Sequence, residues 1–486
     1  MDEQHSIKSG LFWMGVASAV SKLVDVSSLL VTLIFITREE LGLATLAWSF
    51  AVLLEAFNGF GTATAIVQAP EISKRQLDGL YWYVMAIATL MAVVVAVSSP
   101  WLAEFYNDSA LRWLMLIPAV KLFCVGGALI PLQLLNRELR YREISIIRMA
   151  ATFLSAALSI VLVIAGYGAW AIVIAHSSFG LFQLIGVYIA KPFVPSFRFP
   201  FSEITHFISF GAKVAVSGVI YHFYRNMDYL IIGRFLGKEA LGIYKVAFDV
   251  AMKAAEEILN VINRTVFPVF SRLSKQPERL TQIFIWSTRN LSLLLIPIAV
   301  CLFFCADDIL ALIDNGKWSE AALSVKILCW AALMRCLAML FPALYHSIGR
   351  PVLAIYQSLL SFGTLAVTFT VALYYFGEQY GSAAVCGAWV VSYPLLLILF
   401  WRFANLHLPL GLYSYLLGLK DAALGGIFMF VPMLALRMLL PETVPVLLSL
   451  SALLAVGGGA YVMYLRLVLK ITPQRLWASS GKVPPP

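Results

Sequence analysis

Charge is scarce in this chain. Only 13% of its 486 residues are Asp, Glu, Lys or Arg, about half the ~25% of soluble domains. Apolar residues make up 61% and the mean hydropathy is +0.86, which excludes a soluble globular protein and places the chain among polytopic membrane proteins. Catalytic motifs are absent as well. Gly316-Lys317 is followed by Trp318 and lacks the glycine of a phosphate-binding loop, no HExxH or GxSxG occurs, and the six histidines are scattered. No enzyme, no cofactor and no metal site are therefore expected, and no ATP-driven pump within this chain. Cysteine gives no framework: Cys124, Cys301, Cys305, Cys329, Cys336 and Cys386 lie in apolar segments without a CxxC and read as small packing residues. No segment between the apolar runs is long enough for a folded extramembrane domain, which argues against a membrane glycosyl ligase or polymerase.

What the chain does have is long apolar runs. Segments of about 20 residues suffice to cross a bilayer, and fourteen can be placed, at 11–36, 42–66, 79–99, 111–134, 144–165, 168–190, 204–233, 239–267, 282–305, 321–346, 352–376, 381–401, 413–439 and 445–468. The first is too long for the apolar core of a signal peptide, so it reads as a retained helix. With the N-terminus inside, eighteen Lys and Arg fall in inner segments and six in outer ones. That bias predicts two cytoplasmic termini. It also explains much of the net charge of +9 without a nucleic acid.

The Pro- and Phe-rich stretch 191–203 reads as a cytoplasmic linker between six-helix lobes at 1–190 and 204–404. Two further helices follow at 405–470, and the tail 471–486 reads as disordered. An internal repeat supports the division: Glu39-Glu40-Leu41-Gly42-Leu43 returns 200 residues later as Glu239-Ala240-Leu241-Gly242-Ile243. Six helices separate the copies, so both halves enter the membrane in the same sense. The expected fold is all-α and polytopic, two parallel six-helix repeats plus two C-terminal helices, with the substrate site near the midplane where the repeats meet.

The charges inside these segments carry the functional argument. Of the 35 Lys and Arg, the eleven assigned to neither inner nor outer segments lie deeper in these runs, Lys121, Arg289, Lys326 and Arg335 among them, against six carboxylates. Each costs about 2.5–3.5 kcal/mol at a bilayer centre even on a lenient scale. A chain that keeps them needs a water-filled, net positive interior, and hence an anionic ligand. The first and seventh segments each pair a cation with an acid at i,i+3, Lys22 with Asp25 and Arg225 with Asp228; the seventh adds Lys213 and His222. Such a pair reads equally as a neutral bridge between helices, but its recurrence at equivalent places favours a cleft. In the eighth segment Lys245, Asp249, Lys253, Glu256, Glu257, Asn260, Asn263 and Arg264 occupy about a third of the helix circumference at 100° per residue. Lys245, Asp249 and Lys253 at successive i+4 steps are able to satisfy one another. The second segment carries Glu55 and Asn58 before Gly59-Phe60-Gly61. With no cation in its own helix, Glu55 is the candidate proton carrier, or else a partner for a lysine across the cleft.

The run Arg225-Asn226-Met227-Asp228-Tyr229-Leu230-Ile231-Ile232-Gly233-Arg234-Phe235-Leu236-Gly237, continuing into Ala240-Leu241-Gly242-Ile243-Tyr244, resembles the signature of bacterial polysaccharide flippases. These belong to the multidrug/oligosaccharidyl-lipid/polysaccharide exporter superfamily. Asn136-Arg137-Glu138-Leu139-Arg140-Tyr141, Gly166-Tyr167-Gly168-Ala169-Trp170, Gly316-Lys317-Trp318 and Gly349-Arg350-Pro351 add to the likeness. The resemblance implies a V-shaped bundle of two lobes in the bacterial inner membrane. It also implies a cargo of undecaprenyl-diphosphate-linked oligosaccharide, moved to the outer leaflet for O-antigen, capsule or exopolysaccharide synthesis, with a polysaccharide polymerase as candidate partner. A lipid II flippase of peptidoglycan synthesis is the alternative; a drug/cation antiporter would want a net acidic cavity. On this reading Lys22, Arg225, Lys245, Lys253 and His222 contact the substrate. Asp25, Glu55, Asp228 and Asp249 tune those cations or carry a coupling ion.

Overall fold

The computed structural model describes residues 2–55, 62–69, 71–197, 200–313, 316–441 and 443–470. Asn58, Gly59-Phe60-Gly61 and the tail lie outside them, as do the side chains of Lys213, Asn260, Asn263 and Arg264. The described chain forms α-helices: α1 (Asp2–Phe35), α2 (Arg38–Glu55), α3 (Thr62–Gln68), α4 (Lys74–Phe105), α5 (Ser109–Leu114), α6 (Leu116–Arg137), α7 (Tyr141–Ile164), α8 (Ala169–Ala190), α9 (Phe201–Phe235), α10 (Gly237–Arg272), α11 (Pro277–Ala311), α12 (Ala321–Ala338), α13 (Leu340–Ser347), α14 (Pro351–Tyr380), α15 (Ser382–Asn405), α16 (Leu412–Leu439) and α17 (Val446–Leu467). Among the described residues helix underlies each of the fourteen expected segments; α2 and α3 both belong to the second. Two are divided: α5 and α6 share the fourth, with only Met115 between them, and α12 and α13 the tenth, with only Met339. Among the described residues eleven helical stretches are long and apolar enough to cross a membrane. α10 is not one of them, because every window of its 36 residues carries too many charges.

Packing divides the chain into two units, residues 1–242 and 243–486. In the first, α4 packs on α6, α6 on α8 and α8 on α7, α1 lies along α7, and α9 lies against α2, α3 and α4. That last set of contacts is why the packing boundary falls beyond α9. Its core joins Leu80, Val84, Ile130, Ile204 and Phe207. In the second, α11 packs on α12, α16 and α17, while α15 joins α12 to α14. The added pair α16–α17 thus docks on α11 through Val300, Phe304, Met429, Met433 and Leu453. Polar ties reinforce that docking: Arg437 donates to both oxygens of Asp308 at 3.2 and 3.0 Å, and Ser449 donates to Asp308 at 2.9 Å.

The repeat shows in the turns of each unit. After α6, Leu139 has φ 54°, Arg140 N–H donates to the Leu135 carbonyl at 3.0 Å and Leu139 N–H to Asn136 at 3.1 Å. After α13, Gly349 has φ 71°, Arg350 N–H donates to Tyr345 at 2.9 Å and Gly349 N–H to His346 at 3.2 Å. Both are the same left-handed helix stop, built once with leucine and once with glycine. Gly168 before α8 (φ 52°, ψ −127°) and Gly381 before α15 (φ 54°, ψ −131°) form a second matching pair, in a region that only glycine enters without strain.

Candidate functional site

The repeated Glu39/Glu239 motif makes contact with itself. A methyl group built on Gly42 would overlap the Lys238 carbonyl oxygen, and one on Gly242 would overlap the Arg38 carbonyl oxygen. The first turns of α2 and α10 therefore touch backbone to backbone, as only glycine permits. Arg38 pairs with Glu239 at 3.3 Å, and Lys238 pairs with Glu39 at 3.1 Å and Asp108 at 3.0 Å. Hydrogen bonds to Asp108 and then to Glu39 hold the Lys238 ammonium above its ordinary range. Asp108 also caps α5, accepting from Ala110 N–H at 3.0 Å. This clasp fixes where α2 meets the end of α9 and the start of α10. Gly233 of α9, close against Leu46 of α2, extends it.

Within the first unit, the structure gathers charges from α2, α6 and α9. Glu55, the last residue of α2, places Oε1 2.7 Å from Nζ of Lys121 in α6. That ammonium lies 4.1 Å from the centre of the Trp48 ring, and Trp48 packs against His176 of α8 at 4.8 Å. His222 lies within electrostatic range of both Arg225 and Glu55. Asn226 donates to the His222 carbonyl at 2.9 Å, Arg225 is half-buried and Asp228 is fully buried. Glu55 is therefore not a lone acid: its partner is a lysine on another helix. Lys22 and Asp25 are exposed on α1, and the helix they ride on packs along α7.

In the second unit, the i+4 ladder of α10 forms. Lys245 donates to both oxygens of Asp249 at 2.6 Å, and Lys253 reaches Asp249 at 3.0 Å from the other side. One carboxylate thus serves two ammonium groups. Asp249 is 8% exposed, whereas Lys253 is 54% exposed. Behind this stripe lies a residue whose role the sequence did not indicate. Arg335 of α12 is buried, its guanidinium 5.6 Å from Phe248 and 5.4 Å from Trp389, with one nitrogen 3.3 Å from Glu256. Trp389 donates to the Tyr244 hydroxyl at 2.8 Å and stacks on Tyr393. Tyr244, Phe248 and Glu256 all belong to α10, so α12 and α15 hold that helix through these three side chains. Lys121 and Arg335 had one signal in the sequence, a charge within an apolar segment; their partners lie on other helices, which no spacing rule reaches. Arg289 with Asp421 (2.5 Å) and Lys326 with Asp307 (2.6 Å) follow the same pattern.

A family model described as "Polysaccharide biosynthesis protein" matches residues 34–323. The chain belongs to that family. The matched stretch includes the clasp, both charged clusters save the Arg335 side, and all of α9 and α10. Teichuronic acid biosynthesis protein TuaB of Bacillus subtilis (strain 168) is 26% identical over 481 residues, 96% of this chain and 96% of that protein. Lipopolysaccharide biosynthesis protein WzxC of Escherichia coli (strain K12) is 22% identical over 71% of this chain and 68% of its own length. Succinoglycan biosynthesis transport protein ExoT of Rhizobium meliloti (strain 1021) is 23% identical over 59% and 58%. The fold is shared with the lipid II flippase MurJ in an inward-closed conformation, at a TM-score of 0.73 and 12% identity over 94% of this chain and 98% of that one. An inward-facing multidrug resistance MATE transporter shares it at a TM-score of 0.63 and 13% identity, over 78% and 94%.

Proposed function

We propose that this family member is a flippase carrying a polyprenyl-diphosphate-linked oligosaccharide from the inner to the outer leaflet of the bacterial cytoplasmic membrane, for surface polysaccharide synthesis. The observation that carries the reading is the α10 ladder, where Lys245 and Lys253 share the single carboxylate of Asp249 and Lys253 remains half-exposed. A half-exposed ammonium in a membrane-embedded helix needs water or an anion. The relatives add a second argument. Teichuronic acid, lipopolysaccharide and succinoglycan are different polymers, so a binding site common to such a family suits the lipid carrier's diphosphate better than any sugar. Lys253 of the second unit, with Asp249 as its tuning acid, is the cation we assign to an anionic group; within the first unit Arg225 with Asp228 and Lys22 with Asp25 are separate candidates. Both termini lie on the cytoplasmic side in this reading, and a polysaccharide polymerase receives the cargo outside.

The test is a deletion strain complemented with Arg225→Gln and Lys253→Gln variants. Each should lower surface polymer about tenfold or more at unchanged membrane abundance, as expected when a charge contact worth about 1.5–3 kcal/mol is lost. The deletion strain should accumulate a lipid-linked sugar repeat on the inner leaflet, and its chemical analysis separates surface polysaccharide from peptidoglycan precursors. Wild-type polymer levels in both variants would refute the cationic assignment.

A further inference from the structure

The first unit holds one buried cation whose counter-ion is the more accessible of the two. The Lys121 side chain is 8% exposed and that of Glu55 28%. Glu55 Oε1, the atom 2.7 Å from the ammonium, is itself buried. The carboxylate thus sits directly on Nζ of a buried side chain, and the Trp48 ring lies 4.1 Å from the same ammonium. Arg225 and Glu55 both act electrostatically on His222 of α9. To an ammonium, a phosphate oxygen and a carboxylate oxygen are interchangeable acceptors, and the phosphate brings more charge.

We propose that Lys121 is an anion-binding residue of the transport path, its place occupied by Glu55 until a phosphate or diphosphate displaces the carboxylate. The exchange rests on the reading of the cargo as a diphosphate-linked lipid. It makes Glu55 a competitor of the substrate, so the two residues of one ion pair have opposite effects on binding. A pair that only locks α2 to α6 behaves differently: loss of either partner strands a buried charge, and both variants are impaired alike.

The experiment uses the full-length protein purified in detergent, with thermal unfolding followed as inorganic pyrophosphate is titrated against chloride of equal ionic strength. Pyrophosphate should raise the wild-type Tm. Removing a competing charge within about 5 Å should tighten the apparent Kd of Glu55→Gln by about three- to tenfold, and Lys121→Gln should weaken it by a similar factor. Lys121→Arg, which keeps the charge, should stay close to wild type. Should Lys121→Gln fail to fold, Glu55→Gln decides the matter, since only exchange makes it bind more tightly; equal or weaker binding overturns the proposal. If Arg225→Gln weakens pyrophosphate binding while Glu55→Gln and Lys121→Gln do not alter it, the anionic cargo stands and Lys121 has no part in it. A wild-type protein that responds to pyrophosphate no more than to chloride refutes the anionic cargo and the exchange with it.

Discussion

Replacing Gly42 or Gly242 with alanine tests the clasp between α2 and α10. A Cβ on Gly42 falls 2.6 Å from the Lys238 carbonyl carbon, where ordinary contact begins at 3.4 Å, and its overlap with the carbonyl oxygen is worse. A Cβ on Gly242 falls 2.8 Å from the Arg38 carbonyl carbon. Both obstacles are main chain, so no side chain can rotate out of the way, and the Lys238 oxygen, 1.7 Å from a Cβ on Gly42, must retreat to 3.0–3.4 Å, a parting of about 1.3–1.7 Å. Overpacking of this kind costs about 1–3 kcal/mol. The surrounding ion pairs are a weaker hold: Glu39 and Glu239 are each 57% exposed, and exposed pairs contribute about 0.2–1 kcal/mol. The backbone contact therefore dominates, and Gly42→Ala should exceed Lys238→Gln in effect. Because parting relieves both clashes at once, the double alanine variant should cost clearly less than the two single variants added together.

The readout is a cysteine at Thr45, which is 5% exposed beneath the clasp, in a protein whose six native cysteines are replaced. A membrane-impermeant maleimide should label it slowly in the parent. In Gly42→Ala or Gly242→Ala about 2 kcal/mol corresponds to roughly thirtyfold more of the parted state, and labelling from outside should accelerate accordingly. Unchanged labelling together with an unchanged Tm in both variants would show that the backbone contact does not hold these helices together, and a Lys238→Gln effect exceeding theirs would assign that role to the ion pairs.

Three further outcomes are expected. Single cysteines at Ser73 and Ser274 should be shielded from the same reagent in intact cells while one at Ser319 reacts; labelling of either of the first two would reverse the assigned orientation. Arg335→Lys keeps the charge but loses the flat guanidinium between Phe248 and Trp389, a loss of about 1–2 kcal/mol in cation–π contact. A lower Tm and an altered labelling rate of Lys253→Cys should follow, and an unchanged rate would show that Arg335 does not set the orientation of α10. At the α6–α7 turn, a hydrogen bond from Lys191 first and then contacts from Arg140 hold the Glu138 carboxyl below its ordinary 4.5. A depressed carboxyl stabilises the folded state above the unfolded value and loses that contribution as pH falls through the folded one. Acid sensitivity of the Tm should therefore steepen below about pH 4.5 and be reduced in Glu138→Gln; identical profiles would exclude the network as a source of acid lability.

The helices were legible because a bilayer forces the backbone to satisfy itself over about 20 residues, and the described residues of every such run are helical. The division of two runs was less so: α5 and α6 part at Met115 and α12 and α13 at Met339, neither marked by proline or glycine. Charges paired within a helix were readable too, since Lys245, Asp249 and Lys253 are bridged at the i+4 steps that spacing suggests. Pairs across helices were not. Glu55 and Lys121 are 66 residues apart, and only the packing of α2 on α6 makes them neighbours. Lys121, Lys245, Arg289, Lys326 and Arg335 each have a carboxylate at hand, two of those acids lying outside the six counted within the apolar runs. The positive interior inferred from eleven cations is thus smaller than the count suggests, and the exposed ammonium of Lys253 gains importance.

The internal repeat shows the same boundary between pattern and contact. Glu39-to-Leu43 and Glu239-to-Ile243 are recognisable as copies at a shift of 200 residues, yet likeness between two segments does not say that they touch. Here each copy supplies the glycine against which the other's carbonyl lies, and each supplies a carboxylate to the other's cation. A contact of a repeat with its own copy is self-complementary, as in a two-fold dimer interface. Any change that suits one side must therefore suit the other. That requirement gives a physical reason for glycine at both 42 and 242, while the turns at Leu139 and Gly349 keep the same backbone with different residues.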